Sequence, residues 1–180
     1  MSLQTKWIRM IYKVATGSRK TRLLLAPVVG LSFFLLSTLF VILAIIIDRG
    51  LGAPRFPSAP LNFYLGIPLA LTGLLLALWC LVNFIKVKGT PMPFNPPPTL
   101  VTSGPYRYVR NPMLSGVFML LYGIGLIFQS VCLIFVFAPL FILMNVLEIK
   151  AIEEPELTLR LGKPYLDYKK KTPMFFPRLL

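Results

Sequence analysis

The segment Met113–Leu147, MLSGVFMLLYGIGLIFQSVCLIFVFAPLFILMNVL, decides the fold of this chain because it contains no charged side chain. Its length of about 35 residues is too great for one membrane crossing and sufficient for two short ones. The neighbouring polar residues Gln129 and Ser130 lie at its centre. The segment therefore predicts a hairpin of two short transmembrane helices, each of about 16 to 17 residues, with a tight turn at this polar pair.

Two further apolar segments, Leu23–Ile47 and Leu61–Ile85, also lack charged side chains. Each has about 25 residues, which is enough to cross a hydrocarbon core of about 30 Å with some tilt. The composition agrees, since 56% of the residues are hydrophobic and only 14% are charged. We therefore predict an all-α integral membrane protein with about four transmembrane helices, of which the last two form the short hairpin.

Basic residues predict the orientation of the spans, because Lys and Arg concentrate in cytoplasmic loops. The segment before Leu23 carries six basic residues and no acid, whereas the loop between the first two spans carries two basic residues. The loop after the second span carries four, and the tail after Leu147 carries seven. We expect a multi-pass protein whose two termini and central loop face the cytoplasm.

Three parts are predicted along the chain. They are a basic interfacial segment over residues 1–22, the first two transmembrane helices over residues 23–85, and a core over residues 86–180. In the first part, Trp7, Ile8, Ile11 and Ala15 share one helical face, and the basic side chains fall on another. We expect a short amphipathic helix in the headgroup layer, in contact with anionic membrane lipids, with a protein-binding site as the alternative. We expect no signal peptide, because the segment lacks a small-residue cleavage site.

The sequence predicts no metal site. Cys80 and Cys132 lie inside apolar segments, far apart in the chain, and we expect them to be packing residues. Histidine is absent from the sequence, which removes the commonest metal ligand and the commonest base at neutral pH. Any chemistry therefore falls to carboxylates, tyrosines and backbone groups.

An aromatic and basic segment, SGPYRYVRNPM, lies at residues 103–113. Gly104 permits a close backbone approach, and the two prolines stiffen the chain on either side of the tyrosines. Tyr106 and Tyr108 would offer flat faces to a purine or a cation, and Arg110 would offer a fork to a carboxylate. The alternative is an interfacial belt of Tyr and Arg side chains.

An acidic cluster follows the hairpin, with Glu148, Glu153, Glu154 and Glu156 within nine positions. Pro155 predicts a bend in the helix at this point. Because the cluster and the segment SGPYRYVRNPM flank one predicted hairpin, we expect them to lie close together. Their Arg, Glu and Tyr side chains would then hold a small zwitterion, and this set of groups suits S-adenosylmethionine.

These residues resemble a known family. The segment TLVTSGPYRYVRNPM at residues 99–113, followed after the hairpin by EEPELTLRLGKPYLDYKKKTPMFFP at residues 153–177, is similar to the motif pair of one superfamily of integral membrane enzymes. This is the isoprenylcysteine carboxyl methyltransferase and phospholipid methyltransferase superfamily. The resemblance implies S-adenosylmethionine-dependent methyl transfer at the cytoplasmic membrane surface. The cofactor contacts that it implies are Thr99, Leu100, Val101, Tyr106, Arg110, Asn111, Pro112, Met113, Leu114 and Glu153, with Glu154 as the near alternative to Glu153.

Two positions depart from the family pattern. Asn111 stands where the family usually has His, and its side chain donates and accepts hydrogen bonds but takes no proton. Ile149, followed by Lys150, stands where an Arg of the isoprenylcysteine enzymes resembles a substrate-carboxylate contact. The candidate catalytic residues are Glu153, Glu154 and Asn111.

The sequence thus predicts an enzyme, an integral membrane methyltransferase that depends on S-adenosylmethionine. Its expected acceptor is a lipid or lipid-like molecule, such as an isoprenylcysteine-type carboxylate, at the cytoplasmic face. The alternatives are a phospholipid N-methyltransferase of the phosphatidylethanolamine type and a noncatalytic membrane protein that retains the fold. The expected partners are membrane lipids and a lipid or prenylated small-molecule substrate, but not nucleic acid, and the pattern leaves the oligomeric state open.

Overall fold

The computed structural model describes residues 2–87, 89–91, 95–97 and 99–177, and every regular element in these ranges is helical. Its α-helices are α1 (Leu3–Ala15), α2 (Arg19–Leu51), α3 (Leu61–Lys86), α4 (Pro112–Ile127), α5 (Ala138–Glu148), α6 (Glu154–Leu161) and α7 (Lys163–Lys171). A 3₁₀ turn spans Gly104–Arg107, and π turns span Leu133–Phe137 and Ile149–Glu153. The prediction of an all-α protein is confirmed. The remaining residues of the first and third predicted parts, namely 1, 88, 92–94, 98 and 178–180, lie outside the described residues.

The chain divides into two compact units. The first comprises Met1–Ser32, Trp79–Pro112 and Asn145–Leu180, and the second comprises Phe33–Leu78 and Met113–Met144. The first unit contains the segment SGPYRYVRNPM up to its proline, together with the acidic cluster. The second contains most of the apolar hairpin.

Three helical stretches among the described residues are long and apolar enough to cross a membrane, namely α2, α3 and the continuous helix Leu133–Leu161. α4 is shorter, with 16 residues, as predicted for the first arm of the hairpin. The second arm is longer than predicted, because the helix does not end near Leu147 but continues through the second π turn to Leu161. The membrane-protein class is confirmed, and the side on which the termini lie stays a prediction.

The hairpin turn lies at the predicted polar pair. Gln129 adopts a left-handed backbone conformation with a φ of 56°, and Ser130 N donates to the Gly125 carbonyl oxygen at 2.9 Å. The Ser130 hydroxyl donates to one carboxylate oxygen of Asp48, and the other oxygen accepts from Cys132 N at 3.0 Å. Asp48 therefore caps the start of the returning helix. Its position near the end of α2 did not reveal this role in the sequence.

Glycines allow α3 and α4 to pack closely within the second unit. They lie seven residues apart on each helix, at Gly66 and Gly73 on α3 and at Gly116 and Gly123 on α4. A Cβ atom on Gly116 would lie 2.6 Å from the carbonyl oxygen of Gly73, which is far inside van der Waals contact. Small residues allow helix backbones to approach in a bilayer, where lipid competes for apolar surface.

The helix that carries the acidic cluster continues through Pro155, where the sequence predicts a bend. The π turn Ile149–Glu153 lies immediately before the proline. Pro155 has no N–H to donate to the carbonyl of Ala151, four residues earlier. Gln4 Nε2 donates to that carbonyl oxygen at 2.8 Å. A side chain of α1 thus supplies a hydrogen bond that the proline cannot make.

α1 confirms the predicted helix at the N-terminus. Ser2 caps it by accepting a hydrogen bond from Thr5 N at 3.2 Å. Ile11 and Ala15 are buried, whereas Trp7 is half exposed, and the helix contacts α6 and the second π turn. The burial of its apolar face shows that α1 is part of the first unit and not only a surface anchor.

We predict that Gly116→Ala lowers the free energy of unfolding by about 1 to 3 kcal/mol, because its Cβ atom overpacks the α3–α4 contact. The measurement is thermal unfolding of the full chain in detergent. The matched control is Gly50→Ala, since a Cβ atom at Gly50 meets nothing within 4 Å. Equal melting temperatures for the two variants would contradict the close approach of these helices.

Candidate functional site

Arg110 is the central side chain of the candidate site. Its Nη2 atom lies 2.6 Å from Glu154 Oε1, in an ion pair whose side chains are only 11% and 8% exposed. Its Nη1 atom donates to the carbonyl oxygens of Lys169 and Thr172, both at 2.9 Å. Arg110 therefore connects the segment SGPYRYVRNPM to α6 and to the end of α7.

Glu154 accepts from a second cation. Lys169 Nζ lies 2.6 Å from Glu154 Oε2, so that each carboxylate oxygen of Glu154 contacts one basic side chain. Lys169 is more exposed than Arg110, with 39% of its side chain accessible. Glu154 thus lies between α7 and the segment SGPYRYVRNPM, called the motif loop below, and its charge is compensated on both sides.

The chain after α7 lies along the motif loop. Arg110 N donates to the Pro173 carbonyl oxygen at 2.8 Å, and Asn111 N donates to the Met174 carbonyl oxygen at 3.0 Å. These two backbone bonds place the TPMFFP end of the second motif directly against the Arg110-Asn111 pair of the first. The two halves of the motif pair therefore form one structure.

Tyr168 holds the start of the motif loop. Its hydroxyl donates to the Tyr106 carbonyl oxygen at 2.6 Å. Burial raises the pKa of Tyr168 to about 12, against the opposing influence of Arg110. The hydroxyl therefore remains protonated at physiological pH and keeps its role as a donor.

Tyr106 differs from expectation in its exposure. The side chain is buried, and its ring packs against the Phe84 ring edge to face, with centroids 5.4 Å apart. Burial also raises the pKa of the Tyr106 phenol. The ring is therefore a core element of the first unit, and the open aromatic surface of this segment belongs to Tyr108, which is 59% exposed.

A contact with Asn83, which the sequence did not indicate, helps to determine the shape of the turn at Gly104. Gly104 has a φ of 59°, and a Cβ atom there would lie 2.9 Å from Asn83 Nδ2. Asn83 is buried on α3, and its Nδ2 atom donates to the Trp79 carbonyl oxygen at 2.8 Å. Gly104 is needed both for its left-handed backbone and for its contact with this amide.

The other residues predicted at the site are spread over different environments. Thr99 is exposed, Val101 and Pro112 are buried, and Leu100 is half-buried. Met113 and Leu114 occupy the first turn of α4, on the other side of the unit boundary. Of the predicted residues, the structure thus brings Arg110 and Glu154 into direct contact, with Asn111 next to Arg110 in the chain.

Glu153 and Glu156, the carboxylates that flank Glu154 in the acidic cluster, differ in their ion-pair partners. Glu153 lies at the end of the second π turn and forms no ion pair with any described residue. Glu156 pairs with Arg160 at 2.8 Å, four residues later on α6. Of the three acids around Pro155, Glu153 is therefore the one without a cation of its own.

One donor of the site has no acceptor. The Nε atom of Arg110 is buried and has no hydrogen-bond partner in the part of the chain that the structure describes. A buried N–H of this kind is costly to leave unpaired, and a carboxylate is its strongest acceptor. The orphaned donor is therefore a candidate contact for the carboxylate of a bound ligand.

Residues 61–163 match the phospholipid methyltransferase family. The match covers more than half of the 180 residues and includes both Arg110 and Glu154. The chain belongs to this family. The predicted membership of the wider superfamily is therefore confirmed, and the ion pair at the centre of the site is a contact between two segments of the family domain.

Two curated relatives are similar to this family member over 115 residues each. The nickel-cobalt-cadmium resistance protein NccN of Alcaligenes xylosoxydans xylosoxydans is 34% identical, over 64% of this chain and 48% of its own length. The cobalt-zinc-cadmium resistance protein CzcN of Cupriavidus metallidurans is 32% identical, over 64% of this chain and 47% of its own length. This chain spans about half the length of the curated relatives it matches. No solved structure matches it.

The names of these relatives refer to metal resistance. In the described ranges of this phospholipid methyltransferase family member, no group of three or more His, Cys, Asp or Glu side chains is placed to hold a metal ion. The buried polar groups around Arg110 are instead a guanidinium, a carboxylate and backbone carbonyls. A guanidinium and a carboxylate can form charge-assisted hydrogen bonds with the charged groups of an organic ligand.

We predict that Glu154→Gln lowers the free energy of unfolding by about 3 kcal/mol, because it leaves Arg110 buried without its anion. Chemical denaturation in detergent micelles measures this change. Glu148→Gln is the matched control, since Glu148 is exposed and forms no ion pair with a described residue. If the two variants were equally stable, the Arg110–Glu154 pair would not be a structural contact in solution.

Proposed function

We propose that this protein is an integral membrane methyltransferase that uses S-adenosylmethionine and acts on a lipid or lipid-like acceptor at the cytoplasmic membrane surface. The family match supports a membrane methyltransferase. The observation that carries the proposal further is the contact between Arg110 and Glu154, because it joins the two motif halves around an unpaired buried donor.

Three groups of the chain would hold the cofactor. Arg110 Nε would donate to its carboxylate, and Glu153, which has no cation of its own, would accept from its ammonium or ribose hydroxyl groups. The side chain of Asn111, on a backbone held by the Met174 carbonyl, would donate and accept further hydrogen bonds. When bound, S-adenosylmethionine supplies a methyl group on a sulfonium as the electrophile.

The chain's own contribution to methyl transfer is alignment and exclusion of water. A carboxylate acceptor needs no base. An amine acceptor must lose a proton, and Glu154 has both oxygens occupied by Arg110 and Lys169. Glu153 or the phosphate of the acceptor itself would therefore take the proton, whereas Asn111 would only orient groups by hydrogen bonding.

A phospholipid amine is the second candidate acceptor. The family description favours it, and so does Ile149, which replaces the arginine expected to bind the carboxylate of an isoprenylcysteine. A noncatalytic protein that retains the fold is the alternative from another class, and Asn111 in place of His is its best support. One assay separates the three candidates.

We expect the full chain, purified in detergent, to bind S-adenosylmethionine and to transfer labelled methyl groups to a component of a total lipid extract. Alkaline hydrolysis of the labelled product then identifies the acceptor. A methyl ester releases volatile methanol, whereas an N-methyl group stays on the lipid. Complete absence of binding to both S-adenosylmethionine and its demethylated product would rule out the enzyme.

Two variants test the roles within the site. Glu153→Ala is expected to weaken cofactor binding by roughly 1.5 to 3 kcal/mol, because it removes the acceptor of charge-assisted hydrogen bonds. Glu148→Ala is its matched control and should bind normally. An unchanged affinity for the Glu153 variant would indicate that Glu154, and not Glu153, contacts the cofactor.

Asn111→His should change the affinity for the cofactor or the turnover. If neither changes, the Asn111 side chain has only a packing role.

A further inference from the structure

A cleft with a volume of about 480 Å³ lies between α1 and α6 in the first unit. Ligand sites commonly have volumes of about 300 to 1,000 Å³. Its lining residues come from α1, the second π turn, α6 and α7. They are Thr5, Ile8, Arg9, Lys150, Glu154, Pro155, Thr158, Leu159 and Lys169. α1 lies outside residues 61–163, the part of the chain that matches the family.

The two walls are held together by a specific contact. Gln4 Nε2 donates to the Ala151 carbonyl oxygen at 2.8 Å, at the position where Pro155 offers no N–H. Ile11 and Ala15 are buried and fix the same helix along its length. The cleft is therefore a defined space and not a gap beside a loose terminus.

The lining carries three cationic side chains against one carboxylate. Glu154 is already compensated by Arg110 and Lys169. Arg9 and Lys150 reach the cleft from opposite walls, and neither has a carboxylate within 4 Å among the described residues. The cleft thus presents excess positive charge, which favours an anion and disfavours S-adenosylmethionine, whose sulfonium and ammonium carry positive charge.

The rest of the lining is apolar. Ile8 on α1 faces the cleft from one side, and Pro155 and Leu159 face it from the other. Trp7, next to Ile8, is half exposed, as is typical of an aromatic side chain at a membrane interface. An anion that also carries hydrocarbon therefore matches the cleft better than a small inorganic anion. Basic pockets of this kind between helices bind phospholipid headgroups.

We propose that this cleft binds the phosphate headgroup of an anionic membrane phospholipid, with Arg9 and Lys150 on the phosphate and the glycerol and upper acyl chain along Ile8 and Leu159. The bound lipid bridges α1 and the helix that carries Glu154. This lipid is not the methyl acceptor, and the site does not depend on the proposed methyl transfer.

The test is titration of the purified full chain in a nonionic detergent with short-chain phosphatidylglycerol, followed by calorimetry and by native mass spectrometry. We expect one tightly bound phosphatidylglycerol. The double variant Arg9→Gln with Lys150→Gln should lose roughly 10- to 100-fold in affinity, because each side chain contributes a charge-assisted hydrogen bond. The conservative pair Arg9→Lys with Lys150→Arg should retain binding within a few fold.

The matched control is Lys6→Gln with Lys13→Gln, which removes the same charge from exposed positions of α1 outside the cleft. It should bind as the unmodified chain does. Equal losses in the two double variants would overturn the proposal in favour of general attraction to anionic lipid. Should the first double variant fail to fold, Lys150→Gln alone is expected to lose roughly tenfold, and its unchanged affinity would overturn the proposal.

Two further probes test separately the contributions of the phosphate and of the hydrocarbon to binding. Short-chain diacylglycerol, which lacks the phosphate, should not compete for the cleft. Inorganic phosphate, which lacks the hydrocarbon, should compete only weakly. Equal competition by diacylglycerol would show a purely apolar site, and binding of inorganic phosphate as tight as that of the lipid would show a simple anion site. Either result would overturn a phospholipid site.

Discussion

The ion pair between Arg110 and Glu154 is the contact on which the first unit depends. Removing two charges from water is costly, and an isolated buried pair often recovers no more than that cost. Here Arg110 also donates to two carbonyl oxygens at the end of α7, and Lys169 contacts the second oxygen of Glu154. Because of these additional hydrogen bonds, the pair connects the motif loop, α6 and the end of α7. A pair of apolar side chains could not make these contacts.

This junction explains why the two motif halves need the hairpin between them. The chain leaves the first unit at Pro112 and re-enters it at Asn145, and the paired residues are 44 positions apart. Within the second unit, the glycine contact of α3 with α4 and the cap that Asp48 provides stabilise the hairpin itself. In a bilayer such close packing and polar capping replace the hydrophobic driving force, because lipid is as apolar as the side chains.

The first unit also combines two polar systems that have different ligand preferences. Arg110 Nε is a buried donor without a partner among the described residues, and Glu153 forms no ion pair with any of them. In the cleft beside α1, neither Arg9 nor Lys150 forms an ion pair with a carboxylate of the part of the chain that the structure describes. The first arrangement suits a zwitterion and the second suits an anion. Glu154 belongs to both systems, because it lines the cleft and pairs with Arg110.

The sequence by itself determined the helical class, the apolar spans, the turn at Gln129 and the family motifs, because these depend on composition and local order along the chain. It also indicated that the segment SGPYRYVRNPM would lie close to the acidic cluster, with Arg110 bound to the carboxylate of a ligand. Only the tertiary structure decided that the partner is Glu154 and not Glu153, that the Tyr106 ring is buried, and that Gln4 binds the Ala151 carbonyl. The reason is helix register: neighbouring residues on a helix point about 100° apart, so that a contact between distant segments depends on which side chain each helix turns toward the other.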